Sequence, residues 1–253
     1  MGEQNRHFTL VVVGDNHSEL VRKYDKKLKV EPYVVYRFED AEKMYNKKLL
    51  ILKSLINQVD GNDDRKEFFT EEYNYYSGID YLEFYTEITE GLDIDEKTGD
   101  AYSTENPDGK YDSARVAGVF ALPLIDKDGN ETYSCRKGDV RWEEVHLKGT
   151  ELYEAAWDTV MEGKVPENDN ERTIYENMKN RKAYFEFYGT RDNYVKSSTS
   201  FWGFAFLSER TGWVELEDTV SQVEWVTNFY ERFMEPLSDD EKITIYECIR
   251  EDN

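Results

Sequence analysis

The sequence predicts an α+β fold, with an N-terminal β-α-β-α layer carrying acidic helices, then antiparallel hairpins flanked by helices. Three observations predict it. Short β-branched or aromatic runs recur (FTLVVV, YVVYRF, FWGFAFL, WVEL), bounded by turn residues. Longer stretches between them place apolar residues three and four apart, the spacing of one helix face. The turns Asp128-Gly129 and SERTG each sit between two strand-like runs, as hairpin turns do.

Taken in order, residues 7–13 form a buried strand ending at Gly14. Asn16, with Glu19 three residues on, marks a short helix that turns Leu20, Val21 and Tyr24 inward. Pro32 opens a second strand over 33–38, since a missing N–H costs least at a strand start. A helix over 39–59 carries Ala41, Met44, Tyr45, Lys48, Leu52, Leu55, Ile56 and Val59 on one stripe, with Gly61 as its stop. Acidic helices over 66–76 and 79–90 follow, separated by Ser77-Gly78. Periodicity then collapses into turn residues, so the chain divides at an acidic linker over 92–113, between an α/β region over 1–91 and an α+β region over 114–253.

Beyond the linker, 115–125, 131–136 and 140–147 read as a three-strand meander. From Thr150 the period is helical, with Leu152, Tyr153, Ala156, Trp157, Val160 and Met161 on one face, and a second helix covers 170–182. The densest aromatic section spans 184–188, 201–207 and 213–216, and predicts a sheet covered by aromatics with Trp202, Phe204 and Phe206 on one face. Helices over 220–235 and 239–251 close the chain, the last opened by the capping box Ser238 and Glu241.

Composition bounds the function. The 253 residues suffice for a sizeable core, and 15% aromatic residues, 19 of them Tyr, mark a folded chain. With 54 acids against 32 bases and a net charge of -22, a broad contact with phosphate backbone is excluded as a main activity, because that contact depends on clustered cations. The expected partners are basic protein surfaces. Two cysteines without CxxC spacing predict neither a zinc ribbon nor a disulfide framework, and with no signal-peptide pattern and no run of roughly 18 apolar residues the expected location is the cytoplasm.

The acids are concentrated. Residues 60–96 hold thirteen Asp and Glu against Arg65 and Lys66, a net of -11 and half of the chain's total. Asp80, Glu83, Glu87 and Glu90 repeat at helical spacing, opposite Tyr81, Phe84, Tyr85 and Ile88. Side chains at that spacing rise by roughly 4.5 to 6 Å, near the spacing of phosphates along a strand, about 6 to 7 Å, so the row is fitted to mimic a nucleic-acid backbone. Glu71, Glu72, Tyr75 and Tyr76 extend it as candidate partner-binding residues. A solvated helix face kept soluble by its charge is the plain alternative.

Other patterns offer less. DIDEKTGD and DKDGNE present oxygen ligands to Ca²⁺ but lack EF-hand order and are equally turn formers, so no metal and no cofactor is expected. No GxSxG elbow, GxGxxG or Walker A loop is present. Gly14-Asp15-Asn16-His17, after the strand VVV, resembles the opening GDxH block of calcineurin-like metallophosphoesterases. That resemblance implies a metal-dependent hydrolase using Asp15 and His17; the family's later GD and GNH blocks are missing here. The leading expectation is a non-enzymatic acidic binding protein that occupies a basic, nucleic-acid-binding surface, in the manner of a phage-type inhibitor or nucleic-acid mimic. The alternatives are a structural or assembly subunit, for example of a virion, and the metal-dependent hydrolase.

Overall fold

Alternate residues of β1 (Arg6–Val13) are buried on opposite sides of a sheet: Val11 and Val13 join one core cluster, and Phe8, Leu10 and Val12 join another. A strand apolar on both faces belongs in a sheet's interior. The computed structural model describes residues 6–59, 64–116, 123–146, 150–162, 169, 172–173, 181–216 and 221–251. After β1 come α1 (His17–Arg22), β2 (Lys29–Tyr36), α2 (Ala41–Gln58), α3 (Asp64–Ser77), α4 (Tyr81–Ile88), β3 (Asp93–Ile94) and β4 (Ala101–Glu105). The chain continues through β5 (Ser113–Val116), β6 (Leu124–Ile125), β7 (Glu131–Thr132), β8 (Ser134–Arg136), α5 (Trp142–His146) and α6 (Thr150–Glu162). It ends with α7 (Arg181–Tyr188), α8 (Arg191–Thr199), β9 (Ala205–Ser208), β10 (Gly212–Glu215), α9 (Gln222–Phe229) and β11 (Lys242–Arg250). The class is α+β.

Two compact units result, one of Met1–Leu28 with Pro107–Asn253, the other of Lys29–Asn106. In the first, the sheet order is β10-β9-β1-β11-β5, with β8 paired to the opposite end of β11. The two ends of the chain meet there, β1 and β11 pairing antiparallel from Arg6↔Arg250 to Val13↔Ile243, while β9 lies parallel to β1. One face places Val11, Val13, Phe206, Ile243 and Ile245 under Trp225, Val226, Phe229, Phe233 and Met234, which come from α9 and the π-helical turn Tyr230–Met234. Phe206 stacks on Phe233 at 4.5 Å between centroids. The other face buries Leu10, Val12, Leu207, Tyr246 and Cys248 with Leu20 and Val21 of α1. A third cluster joins Ala156, Trp157 and Val160 of α6 to Tyr194 and Val195 of α8.

The second unit is a three-stranded antiparallel sheet, β2-β4-β3, with α2, α3 and α4. The stripe read from the sequence is the one α2 buries, with Ala41 and Leu52 fully inside and Met44, Tyr45, Lys48, Leu55 and Ile56 half-buried. Tyr45 donates its hydroxyl to the Ile79 carbonyl at 2.8 Å, tying α2 to the break between the acidic helices. Phe84 and Tyr85 bury the inner face of α4, and Tyr85 donates to the Gly99 carbonyl at 2.9 Å.

Several expectations are corrected. Residues 239–251 do not form a helix; they contain β11, whose unbroken run of buried residues, Ile243–Cys248, lies in the middle of the sheet. The capping-box contact does form, Ser238 N–H donating to the Glu241 carboxylate at 2.7 Å, but it closes a turn. The β-branched run Ile243-Thr244-Ile245, apolar enough to be buried on both faces, overrides that local signal. Residues 142–146 are helix rather than a third meander strand, and Tyr184–Tyr188 lie in α7 rather than in a sheet. Phe204 packs with Phe8 on one sheet face while Phe206 packs on the other, because strand alternation starts only at Ala205. Pro32 lies inside β2, where the register shifts between Lys29 and Tyr33, so its missing N–H leaves no gap in a regular ladder. By contact the chain groups into units that meet at 29 and 106; β3 and β4 form a hairpin within the expected linker over 92–113, and β1 pairs with β11 within one unit. The helix expected over 170–182 lies mostly outside the described residues.

Candidate protein-binding face

The acidic helices place the eight predicted residues in two roles. Asp80 is the N-cap of α4: its carboxylate accepts from the backbone N–H groups of Leu82 and Glu83, each at 2.9 Å, which satisfies donors a helix start leaves open. Glu72 pairs with Lys48 of α2 at 3.2 Å. Tyr76 is half-buried, its ring 5.7 Å from that of Phe84 and under the Lys48 ammonium at 4.9 Å. These three hold the unit together.

The other five open outward. Glu71, Tyr75, Glu83 and Glu90 are exposed and Glu87 is half-buried. Glu90 stands past the end of α4, so it continues the row from a turn rather than from the helix. Glu67, Glu71 and Tyr75 follow one another four residues apart along α3. The Tyr75 hydroxyl donates to the Glu87 carboxylate, joining that line to Glu83 and Glu87 of α4. Among the described residues Glu67, Glu71, Glu83 and Glu90 have no ion-pair partner. The hydrogen bond to Glu87, with further negative charge from Glu83, pushes the Tyr75 phenol above its ordinary pKa.

The sequence reading named Tyr75 on this face but missed Phe68 and Leu82, the rest of its apolar part. Phe68 is 57% exposed, Tyr75 54% and Leu82 45%. In the sequence the signal for Phe68 is its place three and four residues before Glu71 and Glu72, which puts an aromatic on their side of α3. Such aromatics read most simply as core.

The remaining candidates are engaged elsewhere. Asp15 pairs with Arg136 at 3.0 Å, whereas the His17 Nδ1 lies 2.7 Å from the Tyr246 hydroxyl, so their side chains meet different partners. Burial, and then Lys242, lower the His17 pKa against the opposing pull of Asp15. Asp95 accepts from the N–H groups of Lys97 and Thr98, and Asp126 from those of Asn130 and Asp128; these bonds hold both carboxyls below the ordinary range and build the two turns. Among the described residues no three His, Cys, Asp or Glu side chains are placed to share an ion. Burial raises both thiols, Cys248 to about 12, which leaves neither a ready nucleophile at neutral pH.

Glu247 of β11, placed in a helix by the sequence reading, is instead a buried carboxylate in the sheet. Arg115 of β5 donates to it through Nε at 2.9 Å and His7 of β1 lies 2.9 Å away. The Arg115 hydrogen bonds, opposed by burial and helped by His7, hold its carboxyl below the ordinary range.

Compared with family models, curated proteins and solved structures, the chain matches none. No helix among the described residues is long and apolar enough to cross a membrane. Fold and face together define an α+β protein in which an acidic helical unit, Lys29–Asn106, interrupts a second unit built from both chain ends.

Proposed function

We propose that the protein is a non-enzymatic binding protein that seats the α3–α4 face on a basic surface of a partner, a surface that itself binds nucleic acid, and so blocks or assembles it in the manner of a phage-type inhibitor or nucleic-acid mimic. The observation that carries this reading is the company the carboxylates keep. Among the described residues Glu67, Glu71, Glu83 and Glu90 have no cationic partner, and beside them in sequence Phe68, Tyr75 and Leu82 expose large apolar side chains. A face built only for solubility gains nothing from exposed aromatics, which raise association. Protein-binding patches combine the two: aromatics supply the dry centre, and charge steers the encounter and excludes wrong partners. Like charges four apart on a helix also cost a few tenths of a kcal/mol per pair, a cost that recognition explains and packing does not.

The test is capture of partners from cytosol at low and high salt, with chemical cross-linking and mass spectrometry to locate the contact. The reading expects basic nucleic-acid-binding proteins, released by salt and by added nucleic acid, with cross-links on α3 and α4. Cross-links confined to other elements, or a self-association that takes up this face, count against it.

A further inference from the structure

A cavity of about 320 Å³ in the unit formed by Met1–Leu28 and Pro107–Asn253 is lined by Pro123, Ile125, Glu131, Glu144, Val145, Tyr153, Ser198 and Thr199. It lies where two cores fail to merge: Val145 packs on the sheet core and Tyr153 on the α6–α8 cluster. Its size is that of a small-ligand site, and its wall is apolar with a few polar groups, as such sites are. The polar groups are not equivalent. Thr199 spends its hydroxyl on the Val195 carbonyl at 2.8 Å, and Glu144 is paired with Arg141. Glu131 has no cationic partner among the described residues. Among the described residues no base lines the cavity, and the carboxylate without a cation there is that of Glu131, beside an aliphatic and aromatic wall.

We propose that this cavity binds a small free aliphatic amine or guanidine, its cation on Glu131 and its alkyl stem against Ile125, Val145 and Tyr153. An anion is repelled by the Glu131 carboxylate and by a net charge of -22, and a neutral ligand gains no ion pair with Glu131. The inference does not depend on the α3–α4 face, which belongs to the other unit.

The experiment is an NMR titration of the full chain with n-pentylammonium, n-pentanol, pentanoate and a blocked lysine amide. Pentylammonium should give saturable shifts at Ile125, Val145 and Thr199 with a dissociation constant on the order of a millimolar, as a ligand of so few atoms allows. Pentanol should bind about tenfold more weakly, the difference a charged hydrogen bond makes. Glu131→Gln, exposed and therefore expected to fold, should bring the amine down to the alcohol, and Glu131→Lys should abolish binding. Equal affinity for amine and alcohol, an unchanged affinity in Glu131→Gln, no saturable shift at these residues, or tighter binding of the lysine amide than of the free amine would each overturn the proposal.

Discussion

Tyr75 of α3 donates its hydroxyl to Glu87 of α4, and this one bond makes a continuous face of two acidic helices. The phenol sits above its ordinary pKa because ionising it places a second negative charge beside Glu87. Its charged form is therefore disfavoured, and alkaline titration followed by ring-carbon NMR should find Tyr75 ionising later than a free tyrosine near 10. In Glu87→Gln the Tyr75 value should fall back toward that reference.

Asp80 and Glu83 belong to the same predicted row but should behave oppositely. Asp80→Ala removes the cap from α4 and should cost about 1 kcal/mol in urea unfolding. Glu83→Gln removes a charge with no ion-pair partner among the described residues from a crowded face and should be neutral or slightly stabilising.

Glu247 sets a pH dependence. Its carboxyl is lowered in the folded state, chiefly by Arg115, so the stability it contributes is present above the ordinary carboxylate pKa and is lost as pH falls through the folded value. Arg115→Met should shift acid unfolding to higher pH. At neutral pH it should cost about 2 kcal/mol, less than a fully buried pair because Arg115 is 64% exposed.

Gly203 lies where a Cβ would come within 2.8 Å of Val11 Cγ2, and its carbonyl accepts the Trp225 indole N–H at 2.8 Å. Gly203→Ala should destabilise the two-faced sheet by roughly 1 to 3 kcal/mol, as overpacking does. Ile245→Ala in β11, fully buried, should cost about 2 to 5 kcal/mol. Thermal unfolding of both variants checks this.

What the sequence made legible was local. The stripe on α2, the strand β1 and the hairpin of β9 and β10 each rest on a period or a turn contained within a few residues. The partnership of β1 with β11 spans nearly the whole chain, and nothing near Lys242 announces Val13 as its neighbour. Ser238 and Glu241 announced a helix instead, and the long-range ladder overruled them. For the candidate face, charge and spacing marked Glu71, Glu83, Glu87 and Glu90. They could not separate Asp80 from the row, because capping depends on where α4 starts, and they could not show that Phe68 stays out of the core.

The most direct measurement is the salt-dependent affinity of captured partner for the parent chain and for the fourfold variant Glu71→Lys, Glu83→Lys, Glu87→Lys, Glu90→Lys, which spares the cap Asp80. Binding that is lost in a variant with an unchanged circular dichroism spectrum, together with a steep fall of parent affinity with salt, is the predicted result. A variant that binds as the parent does, with the same salt dependence, contradicts recognition through the α3–α4 face.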